Sequence, residues 1–281
     1  MAYSAEISRA NPSCFLFVID QSGSMNDAFG GGESGKRKAE GVSDAVNRLL
    51  QELTLKCVRA EGQVWDFYSA GVIGYGANVG PAFGGALTGR DLVPISQIAD
   101  NPVRIDARTK KVDDGAGGLA DQSVRFPIWF DPLANGGTPM CQALGNAQSM
   151  LTGWLAQHPT CFPPVVIHIT DGESTDGDPA SAMRAITDLT STDGNVLLFN
   201  LHLSSSNSRA ISFPDSAGEL SDQYSRMLFD GASTLTPFMR DVAGRDHGLR
   251  VSDGSKAFVL NADLTLVVQA LDIGTRPSNL R

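Results

Sequence analysis

Continuously apolar segments alternate with amphipathic ones along the chain. Residues 14–19, 165–170 and 196–203 are apolar at almost every position, which is typical of strands covered on both faces of a parallel sheet. Residues 36–56 and 139–157 instead repeat apolar side chains at three- and four-residue steps, which predicts amphipathic helices. Strands that alternate with helices favour an α/β fold with a central, mostly parallel sheet.

The remaining patterns extend this architecture. Residues 64–75 are rich in β-branched and aromatic side chains and predict a further strand. A hairpin return at residues 82–87 would add one antiparallel edge strand. The later predicted elements are a helix at 179–189, a partly helical segment at 224–242, a strand at 257–260 and a helix at 262–271. Helices are therefore expected on both faces of the sheet.

Residues 88–135 fit the alternation less well. A short helix is predicted at 94–99, and residues 104–130 predict two strands joined by a turn rich in Gly and Asp. No linker or internal repeat interrupts the chain. We therefore expect a single domain over residues 1–281, with an inserted elaboration at about 88–135.

Composition and charge narrow the expected partners. The chain has 22 basic and 31 acidic residues, a net charge of -9, and no long Lys/Arg cluster, so we expect no nucleic-acid partner. It shows neither a signal-peptide core nor a run of eighteen uncharged apolar residues, and its four cysteines include no CxxC pair. We therefore expect a cytoplasmic protein with no membrane contact, reduced thiols and no zinc site.

Oxygen-bearing side chains collect where the first predicted strand ends. Asp20 terminates the apolar run, and Ser22 and Ser24 follow at alternate positions. In an extended loop, alternate side chains turn to one side, so these three are expected to converge. Ligands of open parallel sheets bind beyond the carboxyl ends of the strands. A binding site is therefore predicted at this position.

Two more oxygen donors are expected at the same edge. Asp171 directly follows the apolar run 165–170, and Thr138 stands just before the helix predicted at 139–157. Carboxylates and hydroxyls are hard oxygen ligands, which suit Mg²⁺, Mn²⁺ or Ca²⁺ rather than a soft metal. A metal site that draws on distant parts of the chain is therefore predicted.

This set resembles the metal-ion-dependent adhesion site of the von Willebrand factor A (vWA) domain family. The matching positions are Asp20, Ser22, Ser24, Thr138 and Asp171. The resemblance implies a Rossmann-like vWA fold and a bound Mg²⁺, with Mn²⁺ or Ca²⁺ as alternatives. It also implies that the two serines and Thr138 contact the ion directly or alternate in doing so, while Asp20 and Asp171 act mainly through water.

The resemblance implies a non-enzymatic, metal-dependent protein-binding module. An Asp or Glu of a partner protein would complete the coordination of the ion. The segments IDQSGSM and ITDGESTDG look most like those of stand-alone bacterial members of the family inside the cell. Such members are of the kind encoded beside protein kinases, phosphatases or tellurium-resistance proteins. The implied role is to scaffold an intracellular signalling or stress-response complex, with a kinase or phosphatase as a candidate partner.

Other interpretations of these residues stay open. Asp20 and the serines can form turn hydrogen bonds, and Thr138 can cap the helix that follows it. A metal at a strand edge can also activate water for hydrolysis, although no His or further Glu is expected beside it. A third alternative is an adaptor subunit of an AAA+ ATPase machine.

Neighbouring polar motifs are not expected to bind ligands. Glu173, Asp176 and Asp178 lack the spacing of a calcium loop, and we interpret them as turn and helix-start residues. Residues 30–36, GGGESGK, nearly match a phosphate-binding loop, but Arg37 stands where Ser or Thr is required. The histidines, including His202 in a predicted strand, are interpreted as core or surface residues.

Overall fold

The structure, a computed structural model, describes residues 3–29, 35–113, 119–204 and 209–276. Strands and helices alternate in these ranges as the apolar pattern predicts. The strands are β1 (Ser13–Asp20), β2 (Tyr68–Tyr75), β3 (Val79–Pro81), β4 (Val93–Pro94), β5 (Arg104–Asp113), β6 (Leu119–Ile128), β7 (Val165–Thr170), β8 (Thr190–Ser191), β9 (Gly194–Asn195), β10 (Leu197–Leu203), β11 (Ile211–Ser212) and β12 (Phe258–Ala262). The helices are α1 (Lys38–Lys56), α2 (Ile95–Asp100), α3 (Met140–Gln157), α4 (Ala180–Thr187), α5 (Gln223–Gly231), α6 (Pro237–His247) and α7 (Leu264–Thr275).

Eight of these strands form one sheet, in the order β11–β12–β10–β7–β1–β2–β3, with β4 also paired to β2. The central strands β12, β10, β7, β1 and β2 are parallel, while the short strands β3, β4 and β11 pair antiparallel at the edges. The predicted α/β fold with a mostly parallel sheet is confirmed. The hairpin return is β3, earlier than residues 82–87, because the chain reverses within three residues of the end of β2.

The side chains of β1 alternate between two apolar cores. Phe15, Phe17 and Ile19 pack with α1, α2, α6 and α7 on one face, and Leu16 and Val18 pack with α3, α4 and α5 on the other. Every residue of β1 is buried, which explains the continuous apolar run. Because β7 and β2 flank this strand, neighbours on both sides hold its carboxyl end in place.

The inserted segment forms a β-hairpin that packs against α1. β5 and β6 pair antiparallel over ten residues, as predicted, and the turn at residues 114–118 lies outside the described ranges. Just beyond β6, the Asn47 side chain of α1 accepts the backbone N–H of Trp129 at 2.8 Å and donates to the carbonyl of Phe130 at 3.0 Å. α1 therefore anchors the base of the hairpin to the main sheet.

Residues 224–242 contribute to two helices, α5 and α6. The Thr236 side chain caps α6 by accepting the backbone N–H of Met239 at 3.2 Å. Pro237 occupies the first turn, where its missing N–H costs no hydrogen bond. The cap and the proline together explain why a new helix starts there.

The cysteines are unpaired, and Cys14, Cys57 and Cys161 are buried. Burial raises the pKa of Cys57 and that of Cys161 to about 12, which keeps both as neutral thiols at neutral pH. No helix within the described ranges combines the length and the apolar character that a membrane span requires.

Candidate metal centre

The carboxyl ends of β1 and β7 meet at one edge of the sheet. Ile19 of β1 lies opposite Ile169 of β7, so Asp20 and Thr170 reach the edge at the same level. Asp171 follows one residue later. The parallel register therefore brings together two carboxylates that lie 151 positions apart in the sequence.

Asp20 is fully buried and held by two hydrogen bonds. Its Oδ1 accepts the backbone N–H of Ser22 at 2.8 Å, and its Oδ2 accepts the hydroxyl of Thr170 at 2.9 Å. Burial raises the pKa of Asp20 to about 6, and the charge of Asp171 adds to this rise, while the hydrogen bonds from Ser22 and Thr170 oppose it. The carboxylate is therefore oriented, but its charge is only partly compensated.

The two serines connect the first strand to Asp171. Ser22 Oγ and Ser24 Oγ lie 3.0 Å apart, and the Ser24 hydroxyl donates to Asp171 Oδ1 at 2.7 Å. Four of the five predicted site residues, Asp20, Ser22, Ser24 and Asp171, thus belong to one hydrogen-bonded group. The hydroxyl proton of Ser24 points to Asp171, which leaves lone pairs of its oxygen directed elsewhere.

The backbone reaches this arrangement through a turn. Ser22 is extended, with φ -66° and ψ 167°, but Gly23–Asn26 forms a short 3-10 helix. The expectation that an extended loop turns Asp20, Ser22 and Ser24 to one side is therefore wrong in its backbone geometry. The turn also buries Met25 completely in the core that contains α1. In a fully extended loop, the Met25 side chain would face outward and would not reach this core.

Backbone hydrogen bonds hold the loop that carries Thr138 against the end of β1. The Asn135 N–H donates to the Gln21 carbonyl at 2.7 Å, and the Gly23 N–H donates to the Gly136 carbonyl at 3.0 Å. Gly136 has φ +86°, and a Cβ there would lie 2.4 Å from the Ala77 nitrogen. Only glycine permits this close approach, which explains the first glycine of the NGG sequence before Thr138.

Thr138 does not cap the helix that follows it. The N-cap of α3 is Pro139, with no side-chain cap hydrogen bond. Both oxygens of Asp176 take the cap role instead, since they accept the amides of Cys141 and Gln142 at 2.9 Å each. Among the described residues the Thr138 hydroxyl has no hydrogen-bond partner, although the residue is only 6% exposed. Its oxygen is thus available to a ligand.

Glu173, Asp176 and Asp178, in the acidic loop after β7, are predicted to be turn and helix-start residues, and two of them, Asp176 and Asp178, contact the start of a helix. Asp178 accepts the Ala180 amide of α4 at 2.9 Å, in addition to the cap that Asp176 provides for α3. Burial alone would raise the pKa of Asp176, but the amides it accepts lower it overall. Glu173 is exposed and lines a groove of about 270 Å³ beside the site, together with Asp178 and Tyr224.

Sequence patterns missed several residues that shape this edge. Thr170 orients Asp20, and the Tyr224 hydroxyl donates to the Gly172 carbonyl. Lys38 forms a buried ion pair with Asp171, with Nζ 2.8 Å from Oδ2. In the sequence, these contacts are marked only by a threonine before the second carboxylate and a lysine in the first turn of α1. Neither position shows which residue the side chain contacts.

His202 also lies at this edge, opposite Thr170 in the register of β10 and β7. Its Nδ1 is buried and has no hydrogen-bond partner within the described part of the chain. Burial lowers the pKa of His202, and the charge of Asp171 partly opposes this effect. From the sequence, His202 is interpreted as a core or surface residue and no His is expected beside the site, so its position at this edge corrects that expectation.

The chemistry of the donor set fits a hard divalent cation. Two carboxylates and three hydroxyls supply oxygen only, as Mg²⁺, Mn²⁺ and Ca²⁺ prefer. In the described ranges no group of three or more His, Cys, Asp or Glu side chains could hold a metal ion, so a cation here would depend on the hydroxyls. Metal binding at these five residues stays a prediction.

The glycine-rich segment that nearly matches a phosphate-binding loop, residues 30–36, lies mostly outside the described ranges. Of its residues, Lys36 forms an ion pair with Asp44 at 2.7 Å. The expectation that it binds no nucleotide stays a prediction.

No protein-family model matches this chain, and no curated protein matches it. Several solved structures are similar to parts of this chain. A von Willebrand factor type A protein from Catenulispora acidiphila is 17% identical with a TM-score of 0.41, over 70% of this chain and 34% of that one. The ArnB paralog VWA2 from Sulfolobus acidocaldarius is 14% identical with a TM-score of 0.34, over 72% and 37%.

A third similar structure is proximal thread matrix protein 1 from the mussel byssus, solved with a zinc-occupied MIDAS motif. It is 12% identical with a TM-score of 0.38, over 71% of this chain and 38% of that one. The chain thus spans 34% to 38% of the length of these three proteins. At such identities and TM-scores, none of these likenesses carries an inference about the ligand of this chain.

Proposed function

We propose that this chain is a vWA-type module that binds Mg²⁺ or Mn²⁺ and uses the ion to capture a carboxylate of a partner protein. The main support is the hydrogen-bonded group of Asp20, Ser22, Ser24 and Asp171. A Thr138 hydroxyl without a partner among the described residues is the fifth matching position. These five positions carry the sequence resemblance to the metal-ion-dependent adhesion site.

The proposed division of roles follows from the contacts. Asp20 and Asp171 supply negative charge and are fixed by donors, while the hydroxyls of Ser22, Ser24 and Thr138 offer lone pairs. A divalent ion bound here would supply a positive charge with coordination positions left for water and one outside ligand. A carboxylate from a partner suits such a position because it is a hard, anionic oxygen donor.

The surroundings restrict which partner segment would fit. The adjacent groove is lined by Glu173 and Asp178, whose charges would repel additional acidic residues. The proposed ligand is therefore one Asp or Glu flanked by neutral or basic residues, rather than a long acidic run.

The proposed cellular role is to scaffold a cytoplasmic signalling or stress-response complex. Its support is the sequence of the segments IDQSGSM and ITDGESTDG, which resemble those of stand-alone bacterial family members associated with kinases, phosphatases or tellurium resistance. A protein kinase or phosphatase of the same pathway is the proposed partner. The AAA+ adaptor alternative uses the same metal-bridged contact and would differ in its dependence on ATP.

Direct metal titration tests the proposal before any partner is known. Calorimetry with Mn²⁺ should detect one site in the wild-type protein and none in Asp20→Asn or Ser22→Ala. Immobilised wild-type protein should then retain a partner from an extract of the native cell in Mg²⁺ buffer and release it on addition of EDTA. Immobilised Ser22→Ala should not retain that partner. Equal Mn²⁺ binding by all three proteins would contradict the proposal.

His202 favours one competing function, metal-assisted hydrolysis. Because its pKa is lowered, the largely buried imidazole of His202 is neutral at pH 7 and has a lone pair that can take up a proton, and His202 lies beside the candidate site. Turnover of a phosphate ester with Mg²⁺ or Mn²⁺ that is lost in both Ser22→Ala and His202→Phe would establish an enzyme. We propose the binding function because His202 Nδ1 has no hydrogen-bond partner among the described residues, so no acidic group orients this imidazole through that nitrogen as a general base requires.

A further inference from the structure

A buried lysine neutralises one carboxylate of the candidate site. Lys38 Nζ lies 2.8 Å from Asp171 Oδ2, and the two side chains are 3% and 0% exposed. The other oxygen of this carboxylate, Oδ1, accepts the Ser24 hydroxyl. Asp171 Oδ2, the oxygen that does not bond to Ser24, therefore faces the full positive charge of Lys38.

The requirements of the helix do not explain this lysine. Lys38 is the first residue of α1, where the helix dipole disfavours a positive charge. Burying an ammonium group is also costly unless it is paired. Glu40, the acidic residue in the first turn, pairs with Arg37 instead. Asp171 is thus the group that compensates Lys38, and the pair joins α1 directly to the candidate metal site.

Resting on the proposed function, we propose that Lys38 sets the charge of the cation site and thereby selects an anionic ligand. The two carboxylates and the Lys38 ammonium together carry a charge of -1, and a divalent ion changes it to +1. Without Lys38 the loaded site would be neutral. Local charges dominate the electrostatics of metal sites, so Lys38 weakens the binding of the ion and strengthens the attraction of the loaded site for a carboxylate.

Two measurable consequences follow. First, the ion and an anionic ligand should bind cooperatively, because the ligand neutralises the positive charge that the loaded site carries when Lys38 is present. Secondly, a divalent ion should replace Lys38 as the counter-charge of Asp171. A protein without the lysine should therefore depend more strongly on metal for its stability, since an unpaired buried carboxylate is costly.

The test compares Lys38→Met with Lys56→Met. Lys56 is the last residue of the same helix, roughly 27 Å away at 1.5 Å per residue, so the control removes the same formal charge far from the site. Mn²⁺ affinity is measured by calorimetry in chloride and in acetate buffers of equal ionic strength, with acetate as the carboxylate probe. Melting temperatures are recorded with EDTA and with Mn²⁺.

A nearby charge alters the affinity of a site for protons by about tenfold to a thousandfold, and we expect an effect on Mn²⁺ at the lower end of this range. Lys38→Met should therefore bind Mn²⁺ about tenfold more tightly in chloride, gain less from acetate than the wild type, and show a larger rise in melting temperature with Mn²⁺. Lys56→Met should match the wild type in each measurement.

The outcomes separate this inference from the proposed function. If the wild type binds no Mn²⁺, or Asp20→Asn binds it equally well, the proposed function itself fails. If those controls behave as expected but Lys38→Met matches the wild type or Lys56→Met, only the role of Lys38 is overturned. Should Lys38→Met not fold in EDTA, folding on addition of Mn²⁺ supports the inference.

Lys38→Gln keeps a hydrogen-bond donor to Asp171 without the charge, and it serves as the second variant. Tighter Mn²⁺ binding and a weaker acetate effect in Lys38→Gln support the inference. Wild-type behaviour of Lys38→Gln, or failure of both variants to fold with Mn²⁺ present, overturns it, because the pair would then be structural only.

Discussion

The Thr170 hydroxyl shares its proton between Asp20 Oδ2 at 2.9 Å, on the neighbouring strand, and the Gly172 carbonyl at 3.0 Å. Both side chains are buried, so water cannot replace this donor. Thr170 thus orients a predicted metal-site carboxylate without itself being one of the five predicted ligands.

Thr170→Val tests this positioning role. Loss of a hydrogen bond to a ligand typically weakens metal affinity by about tenfold to a hundredfold, and we expect a loss in that range for Mn²⁺, measured by calorimetry. Thr152→Val is the matched control, because the Thr152 hydroxyl donates to the Gln148 carbonyl of its own helix, away from the candidate site. Unchanged affinity in Thr170→Val would show that Asp20 needs no such support.

Asp20 should make the metal-free protein more stable in mild acid. Its pKa is raised from the ordinary 3.8 to about 6, so the folded state binds a proton that the unfolded state lacks between these values. This contribution is fully present below pH 3.8 and is lost as the pH rises through about 6. A shift of this size corresponds to about 2 to 3 kcal/mol at most.

Urea unfolding in EDTA, from pH 4 to pH 8, measures this effect. Asp20→Asn should be more stable than the wild type at pH 7 and should lose this advantage near pH 4. The same titration predicts that Mn²⁺ affinity falls as the pH drops below about 6. If the unfolding free energies of the two proteins depended on pH in the same way, the raised pKa of Asp20 would be contradicted.

Thr138→Val distinguishes a metal ligand from a helix cap. Its hydroxyl makes no hydrogen bond within the described residues, so the unfolding free energy should change by less than about 0.5 kcal/mol, as for other substitutions without a named structural role. Mn²⁺ affinity should nevertheless fall at least about tenfold, in line with loss of one oxygen ligand.

Asp176→Ala provides the contrast to that variant. Because Asp176 accepts two amides at the start of α3, its loss should cost about 1 to 2 kcal/mol of stability, measured by urea unfolding. If Thr138→Val were the more destabilising of the two, the capping interpretation of Thr138 would regain support.

His168 should destabilise the fold in acid. It lies in a buried chain in which its Nε2 is 2.8 Å from the Tyr75 hydroxyl and its Nδ1 is 2.9 Å from Asn200 Oδ1. Burial lowers the pKa of His168 from 6.5 to about 4. Its contribution to stability is therefore full above pH 6.5 and is lost as the pH falls towards about 4, by about 3 kcal/mol at most.

His168→Gln tests this pH dependence, because glutamine keeps a donor and an acceptor but does not titrate. We expect the acid limb of the stability curve, from pH 6.5 to pH 4, to flatten relative to the wild type. An equally steep limb in both proteins would mean that other groups dominate the acid response. Mn²⁺ affinity at neutral pH should be the same in both, because His168 lies inside the sheet rather than at its edge.

Much of the fold followed from local patterns. The apolar runs of β1, β7 and β10 are continuous because both faces of these strands are covered, and the helices α1 and α3 repeat apolar positions because one face of each is buried. Register and turn lengths were less predictable. β3 starts directly after a three-residue turn, and no side-chain periodicity signals where a short edge strand begins.

The candidate site divides in the same way. Asp20 and Asp171 could be placed at one edge from their positions after apolar runs, because parallel strands end on the same side. Residues whose role depends on packing could not be placed. Lys38 contacts a carboxylate 133 positions away, and His202 reaches the edge only because β10 lies beside β7.

The sequence by itself thus indicated the alternation of strands and helices and the five oxygen-bearing side chains of the candidate site, two of them directly after apolar runs. Both are encoded in short-range periodicity and spacing. The tertiary structure alone decided which donors hold those side chains, that Thr138 is not used as a cap, and that Lys38 is paired with Asp171. These contacts depend on how α1 and the loops pack against the sheet edge, and a linear chain carries no local signal for the distance between two surfaces brought together by folding.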